Sequence, residues 1–348
     1  MPDLMLDPFH QALLSPSQAI DYLDRISLPR SLIDERPSFE LLSRLLLAQL
    51  EQIPKDTTPL HVAEAQWASP PSVIKLSTAY TNMPESTSAF DRVIKQRKGA
   101  FCFAINATLS AFLRSFGFRV SELVGRTFKG DPANDPATHP DGYKWGTMTH
   151  EMMVVDWPGS DGRYLVDGAW GPWACPVPIK LSNGETVMGL NDYEAFRLVE
   201  EFLPMTPGRS QPIDQLKGWT FYRRITPPGR RVELPIDASS PGHWVPFFHF
   251  HLSSIPLLDF KLYHHFSASH ELASFTAFWL VTRLIPDSGG ARRSMMYAEK
   301  AGEGTRAKVY TTGGHDAKGS LEGRDVEWVE METETMREYL KKEFGFGF

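Results

Sequence analysis

Only two cysteines occur in 348 residues, and one of them, Cys102, lies in the run RKGAFCFAIN, where small and aromatic residues lead into an apolar stretch with helical spacing. A thiol at the first turn of a helix sits at the positive end of the helix dipole, and a nearby imidazole can take its proton. Either effect turns the sulfur into a nucleophile. A base and a group to orient it are available downstream. His150 opens HEMMVVDW and Asp167 closes RYLV, with the turn PGSDG about midway between them. A hairpin at that turn brings the start of one strand beside the end of the next. Cys102, His150 and Asp167 then form a Cys-His-Asp triad suited to acyl chemistry through a thioester. The same layout serves thiol hydrolases, so the triad alone leaves peptide or amide cleavage open.

Such a triad needs a helix behind the cysteine and paired strands under the histidine and aspartate. SPSQAIDYLDRISL, SFELLSRLLLAQLEQIP and CFAINATLSAFLRSFGF read as three helices, with Ser15 and Ser38 as N-caps, Pro16 at a first helical position and Gly117 as a C-terminal stop. From RVSELVGRTF onward the texture is strand-like, through THEMMVVDW, GRYLVDGAWG, WTFYRRI and VPFFHFHLSS. Between Phe128 and His150 runs a long loop rich in Pro, Asp and Gly. AKVYTT and DVEWVEM are later strands, and TETMREYLKKEFGF is a closing amphipathic helix. Helices first, strands in the middle and a mixture at the end predict an α+β protein.

The net charge of −6 argues against a nucleic-acid partner, because phosphate binding needs a positive field. Two cysteines cannot build a disulfide framework, so both thiols are expected free, in a reducing setting. MPDLMLDPFHQALL lacks the basic-then-apolar layout of a leader. The most apolar window, LASFTAFWLVTRLI, falls short of the roughly 20 residues that span a bilayer. The expectation is a soluble cytoplasmic protein with no membrane partner. Cys175, in WACPVPIK, reads as packing. His249 and His251 would share one face of a strand, as two zinc ligands can, but no third ligand accompanies them, and no metal is expected. The glycine-rich TTGGHDAKGSLEG lacks a phosphate-loop pattern and reads as a turn.

RKGAFCFAIN, the TH before HEMMVVDW and YLVDGAWG together resemble the arylamine N-acetyltransferase family. The family motif is Arg-Gly-Gly-aromatic-Cys with an asparagine four residues later. Here Phe101, Cys102 and Asn106 match it, while Lys98 stands for the arginine and Ala100 for the second glycine. Ala104 stands where the family carries Glu or Gln, and after QIP this chain reads KDTTPLH instead of a Pro-Phe-Glu-Asn-Leu-like sequence. PLLDFKLYHHFSASHELASF and REYLKKEFGFGF are similar to the family's later segments, so the likeness covers nearly the whole chain.

The resemblance implies a cysteine-protease-like core in three parts: a helical bundle (1–120) carrying the cysteine, a β-barrel (121–238) carrying His150 and Asp167, and an α/β lid (239–348). It implies ping-pong acyl transfer, in xenobiotic metabolism, from acetyl-CoA, or from propionyl- or malonyl-CoA, to an aromatic amine or hydrazine. No permanently bound cofactor is implied. Phe103, Phe128 and Trp170 are the candidate aryl-binding wall, and Gly146 and Thr147 the candidate contacts to the CoA. Arg97 and Lys98 could attract its phosphates. An amide synthase, or a non-catalytic protein that binds CoA or arylamines, is the alternative on the same scaffold; the departures at Lys98, Ala100, Ala104 and KDTTPLH motivate the second.

Overall fold

The computed structural model describes residues 12–61, 89–208, 215–273, 275, 277–297 and 306–348. Most of the N-terminal stretch read for a leader, through residue 11, lies outside the described residues. Three cores hold the chain together, one under each part of the sequence.

The first core is helical. Helix α1 (Pro16–Arg25) begins with a capping box: the Ser15 hydroxyl accepts from the Gln18 amide while the Gln18 side chain accepts from the Ser15 amide. Helix α2 (Phe39–Gln52) is capped from one side only, the Ser38 hydroxyl accepting from the Leu41 amide. Helix α3 (Cys102–Ser115) has no side-chain cap and is buried along nearly its whole length. The Tyr22 ring of α1 stacks on Phe112 of α3 at 3.8 Å, and its hydroxyl donates to Gln49 of α2 at 2.6 Å, so one side chain ties three helices. Gly117 follows α3 at φ +88°, the left-handed stop expected there.

The second core fills an eight-stranded antiparallel sheet of order β5-β4-β3-β2-β9-β8-β7-β6, comprising β2 (Arg119–Phe128), β3 (Trp145–Asp156), β4 (Tyr164–Val166), β5 (Ile179–Lys180), β6 (Thr186–Met188), β7 (Ala195–Glu201), β8 (Gly218–Ile225) and β9 (His243–Phe250). A bridge from Asn183 to Leu198 brings its ends near each other, so the sheet is a nearly closed barrel. The sequence division at residue 238 groups β9 with the C-terminal part, but β9 pairs with β2 and β8 and belongs to the barrel sheet. Burial of Val245, Phe247, Phe248 and Phe250 explains that placement, because these side chains complete the barrel core.

The third core lies between helix α5 (Thr333–Phe344) and a five-stranded sheet of order β1-β10-β11-β12-β13. Its later strands are β10 (Trp279–Leu284), β11 (Arg292–Tyr297), β12 (Arg306–Thr312) and β13 (Gly323–Glu330). Its edge strand β1 (Lys55–Asp56) comes from the N-terminal part, directly after α2. The KDTTPLH run that departs from the family pattern is thus the seam between the helical core and the C-terminal sheet. Helix α4 (Leu257–Ser269) lies over the cysteine segment, with the His264 ring stacked on Phe101 at 4.9 Å. Barrel and C-terminal sheet are also joined by a buried cluster in which Glu194 accepts from Arg223 of β8 and Arg292 of β11. Among the described residues no helix is long and apolar enough to cross a membrane.

Candidate active site

Cys102 is the first residue of α3, preceded by the extended Phe101, and is fully buried. Its Sγ reaches the Thr149 carbonyl on β3 at 3.7 Å, which sets the sulfur beside the residue next to His150. His150 Nε2 and Asp167 Oδ2 are 2.7 Å apart. With Nε2 committed to the carboxylate, Nδ1 is the nitrogen free to exchange a proton with a nucleophile. The hairpin read from sequence is present: β3 pairs with β4 through Met153–Val166, and Asp167 follows β4 directly.

Asn106, one turn into α3 from Cys102, holds the rest of this arrangement. Its Nδ2 donates to Asp167 Oδ1 at 3.0 Å and to the Glu151 carbonyl at 2.6 Å, while its Oδ1 accepts from the Gly168 amide at 2.9 Å. The Ala169 amide also donates to Asp167 Oδ1. Sequence reasoning quoted Asn106 as part of a motif and gave it no role. Its spacing from Cys102, one helical turn, was the available signal, because it puts both side chains on one face of α3.

The electrostatics follow from burial. Burial raises the Asp167 pKa, yet the His150 charge and hydrogen bond, with those of Asn106 and Ala169, outweigh it and keep the carboxyl below its ordinary range. Burial lowers His150, against the pull of Asp167, so the imidazole is held neutral. Burial pushes the Cys102 thiol up to about 12, and the Lys55 charge is the largest pull in the other direction. The sequence reading has helix start and imidazole activating the sulfur; burial works against that activation, and desolvation is the larger influence on the thiol.

A cavity of about 310 Å³ opens onto this site, lined among others by Thr149, His150, Phe128, Trp170, Phe275 and Lys55. Two of the three expected wall residues therefore face it: Phe128, and Trp170, whose ring meets His150 edge-on at 4.3 Å. Phe103 does not. It is fully buried and packs edge-on against Phe260 and His264, because its helical position turns it into the first core. Gly146 and Thr147 lie at the start of β3, outside the cavity lining; the Gly146 carbonyl is occupied by Arg126 at 2.7 Å. Cys175 donates to the Val177 carbonyl at 3.2 Å inside the barrel core, which is the packing role expected. The His249 and His251 rings stand 5.2 Å apart, and among the described residues no group of three metal-ligating side chains converges.

A second support was missed in sequence because it joins distant segments. Arg92 donates to the Gly99 carbonyl at 2.7 Å and pairs with Asp56 at 3.1 Å, all of it buried. Asp56 in turn accepts from the Thr58 hydroxyl and amide. This pair fixes the loop that delivers Cys102, the loop in which Lys98 stands where the family motif has arginine. Gly99 is required there: a Cβ would fall 2.5 Å from both the Asp56 Cβ and the Pro54 carbonyl.

Known proteins share this architecture. A family model described as N-acetyltransferase matches residues 81–324. The chain is 29% identical over 156 residues to the arylamine N-acetyltransferase of Mycolicibacterium smegmatis, covering 43% of this chain and 50% of that protein. It is 21% identical over 277 residues to an N-malonyltransferase of Fusarium pseudograminearum, covering 78% and 75%. The Mycobacterium marinum arylamine N-acetyltransferase structure superposes with TM-score 0.62 at 20% identity, covering 94% of this chain and 93% of that one; its complex with CoA gives 0.59, covering 94% and 92%. The chain thus spans only about half the length of the M. smegmatis relative, while the structural likeness extends over nearly all of it. With the matched family region running from before the cysteine loop to the last strand of the C-terminal sheet, the chain belongs to the arylamine N-acetyltransferase family.

Proposed function

We propose that this protein transfers an acyl group from acetyl-CoA, or a related acyl-CoA, to an aromatic amine or hydrazine through an acyl-Cys102 intermediate. The observation that carries the reading is the single buried line from Cys102, at the start of α3, past the Thr149 carbonyl to His150 and Asp167. In this reading Sγ attacks the thioester carbonyl as His150 Nδ1 takes the thiol proton. The carbon–sulfur bond to CoA then breaks, and CoA leaves with a proton returned from His150. An amine next attacks the acyl-cysteine as His150 removes the amine proton; the carbon–Sγ bond then breaks, the amide leaves and His150 returns the proton to Cys102. Asp167 holds the ring and balances the imidazolium throughout. The protease-like three-part build belongs to the same proposal: helices supply the nucleophile, the barrel the base and orienter, and the C-terminal part covers the cleft. The M. marinum relative is known in complex with CoA, and the Fusarium relative is named for malonyl transfer, so acetyl, propionyl and malonyl donors all fall within the reading. The Arg92–Asp56 pair supports activity over a purely binding role, since it supplies the loop support that Lys98 and Ala100 put in question.

The test is intact-mass spectrometry after mixing protein and acyl-CoA without amine. One acyl group should add, be absent in Cys102→Ala and be discharged by an arylamine. If acetyl-, propionyl- and malonyl-CoA all leave the mass unchanged, the acyl-cysteine route is wrong.

A further inference from the structure

Lys55 is a buried cation that the proposed chemistry does not use. It is 8% exposed, and its Nζ points at the cavity that holds His150. Three donors sit on an ammonium, yet among the described residues its one hydrogen bond runs to the Trp170 carbonyl at a long 3.5 Å, and no carboxylate pairs with it. Aromatic faces supply the remaining contact, with Nζ 5.1 Å from the Phe275 ring centroid and 5.8 Å from that of Trp170. Trp170 in turn touches His150, so the ammonium lies one ring away from the base. A charge in a water-poor pocket with this little compensation is costly unless a ligand completes it. Strand pairing fixes the Lys55 backbone beside the nucleophile: β1 is paired to β10 through Lys55–Thr282, and Lys55 also bridges Ala100, two residues before Cys102.

Resting on the acyl-cysteine reading above, we propose that Lys55 recognises a carboxylate at the far end of the acyl group, so that the preferred donor class is the CoA thioester of a short dicarboxylic acid, malonyl being the shortest. Lys55 lines one cavity with Thr149 and His150 and bridges Ala100, two residues before Cys102, which sets the ammonium beside the space an acyl group on Sγ would enter. Lys129 lines the same cavity and shares its positive field with Lys55. Burial lowers the Lys55 pKa, and a carboxylate beside it would restore the charge. The transfer itself is unchanged: the carboxylate stays intact, the thioester carbon moves from CoA sulfur to Sγ, and CoA departs protonated.

The experiment measures acylation rates of the full chain by intact mass with malonyl-, butyryl- and acetyl-CoA, for the wild type, Lys55→Met and Lys55→Arg. Butyryl is close to malonyl in size and lacks the charge. The wild type should prefer malonyl to butyryl, and Lys55→Met should lower the malonyl-to-butyryl rate ratio by roughly ten- to a hundredfold, as loss of a charged hydrogen-bond partner predicts. Lys55→Arg should keep most of the preference, and it remains informative if Lys55→Met does not fold. A merely electrostatic effect on the thiol would slow all three donors alike and leave the ratio fixed, which overturns the proposal. Acylation by acetyl- and butyryl-CoA with none by malonyl-CoA also overturns it while sparing the acyl-cysteine reading; no acylation by any donor removes both. A Lys55 effect seen only when the acetyl adduct is discharged, and larger for 4-aminobenzoate than for aniline, would assign the carboxylate to the acceptor and overturn the donor claim.

Discussion

Replacing Asn106 by alanine tests whether this buried side chain holds the triad together. The amide makes three hydrogen bonds with no solvent exposure, to Asp167 Oδ1, the Glu151 carbonyl and the Gly168 amide. Asp167 keeps two other partners, His150 and the Ala169 amide. The Glu151 carbonyl and Gly168 amide are left facing a small void. A buried backbone group without its partner costs about 1–3 kcal/mol, and the lost bond to a carboxylate a similar amount. A water entering the void recovers part of that, so the expected loss is about 3 kcal/mol in urea unfolding. Asp167 and Gly168 would also gain freedom to turn the imidazole, and acylation of Cys102 should slow by roughly ten- to a hundredfold. Asn106→Asp discriminates further, because it keeps an acceptor for Gly168 while placing a carboxylate against Asp167. The pKa of the new carboxylate would be raised by burial and like charge, so its stability deficit should grow as pH rises from about 4. An Asn106→Ala protein within 1 kcal/mol of wild type, acylated at an unchanged rate, would refute the reasoning.

Removing Glu194 strands Arg223 and Arg292 as buried unpaired cations; Glu194→Ala should cost about 3–5 kcal/mol and make the C-terminal sheet the first part cut in limited proteolysis. Arg92→Met should cost a similar amount by leaving Asp56 buried without its counter-charge, and should slow acylation through the Gly99 loop even where the fold survives in the cold. Burial lowers both His249 and His264 to about 4. Their folded values lie below the unfolded value of roughly 6.5, so the stability they supply is complete above that pH and is lost as pH falls through about 4. Urea unfolding between pH 7 and 4 should therefore show a steep acid loss, and His264→Phe, which keeps a ring against Phe101, should remove about half of that slope.

What could be read from sequence was whatever local spacing encodes. Ser15, Pro16 and Ser38 announced their helices through caps that the structure contains, and the hairpin from His150 to Asp167 follows from one turn and two apolar runs. Asn106 was visible but silent, because its partners lie on β3 and after β4, segments 45 and 61 residues away. Arg92, Asp56 and Lys55 escaped for the same reason: their roles depend on β1 bridging the cysteine loop and the C-terminal sheet, a two-residue strand with no periodicity of its own. Phe103 entered the aryl wall only through the family resemblance, whereas its position on α3 turns it into the first core.

Burial also decides how Cys102 reacts. With the thiol pushed up to about 12 and His150 held below its ordinary range, burial opposes moving the proton from sulfur to imidazole ahead of reaction. Lys55 favours the thiolate and Asp167 the imidazolium, but each opposes the other charge, so together they do not remove that opposition. In the proposed mechanism proton transfer to His150 accompanies attack on the thioester. Acylation measured against pH should then follow His150 alone, falling as the imidazole is protonated below about 6.5 and staying flat from about pH 7 to 9. A rate that instead climbed tenfold per pH unit through that range would show free thiolate attacking without the base, and His150 would lose the role given to it here.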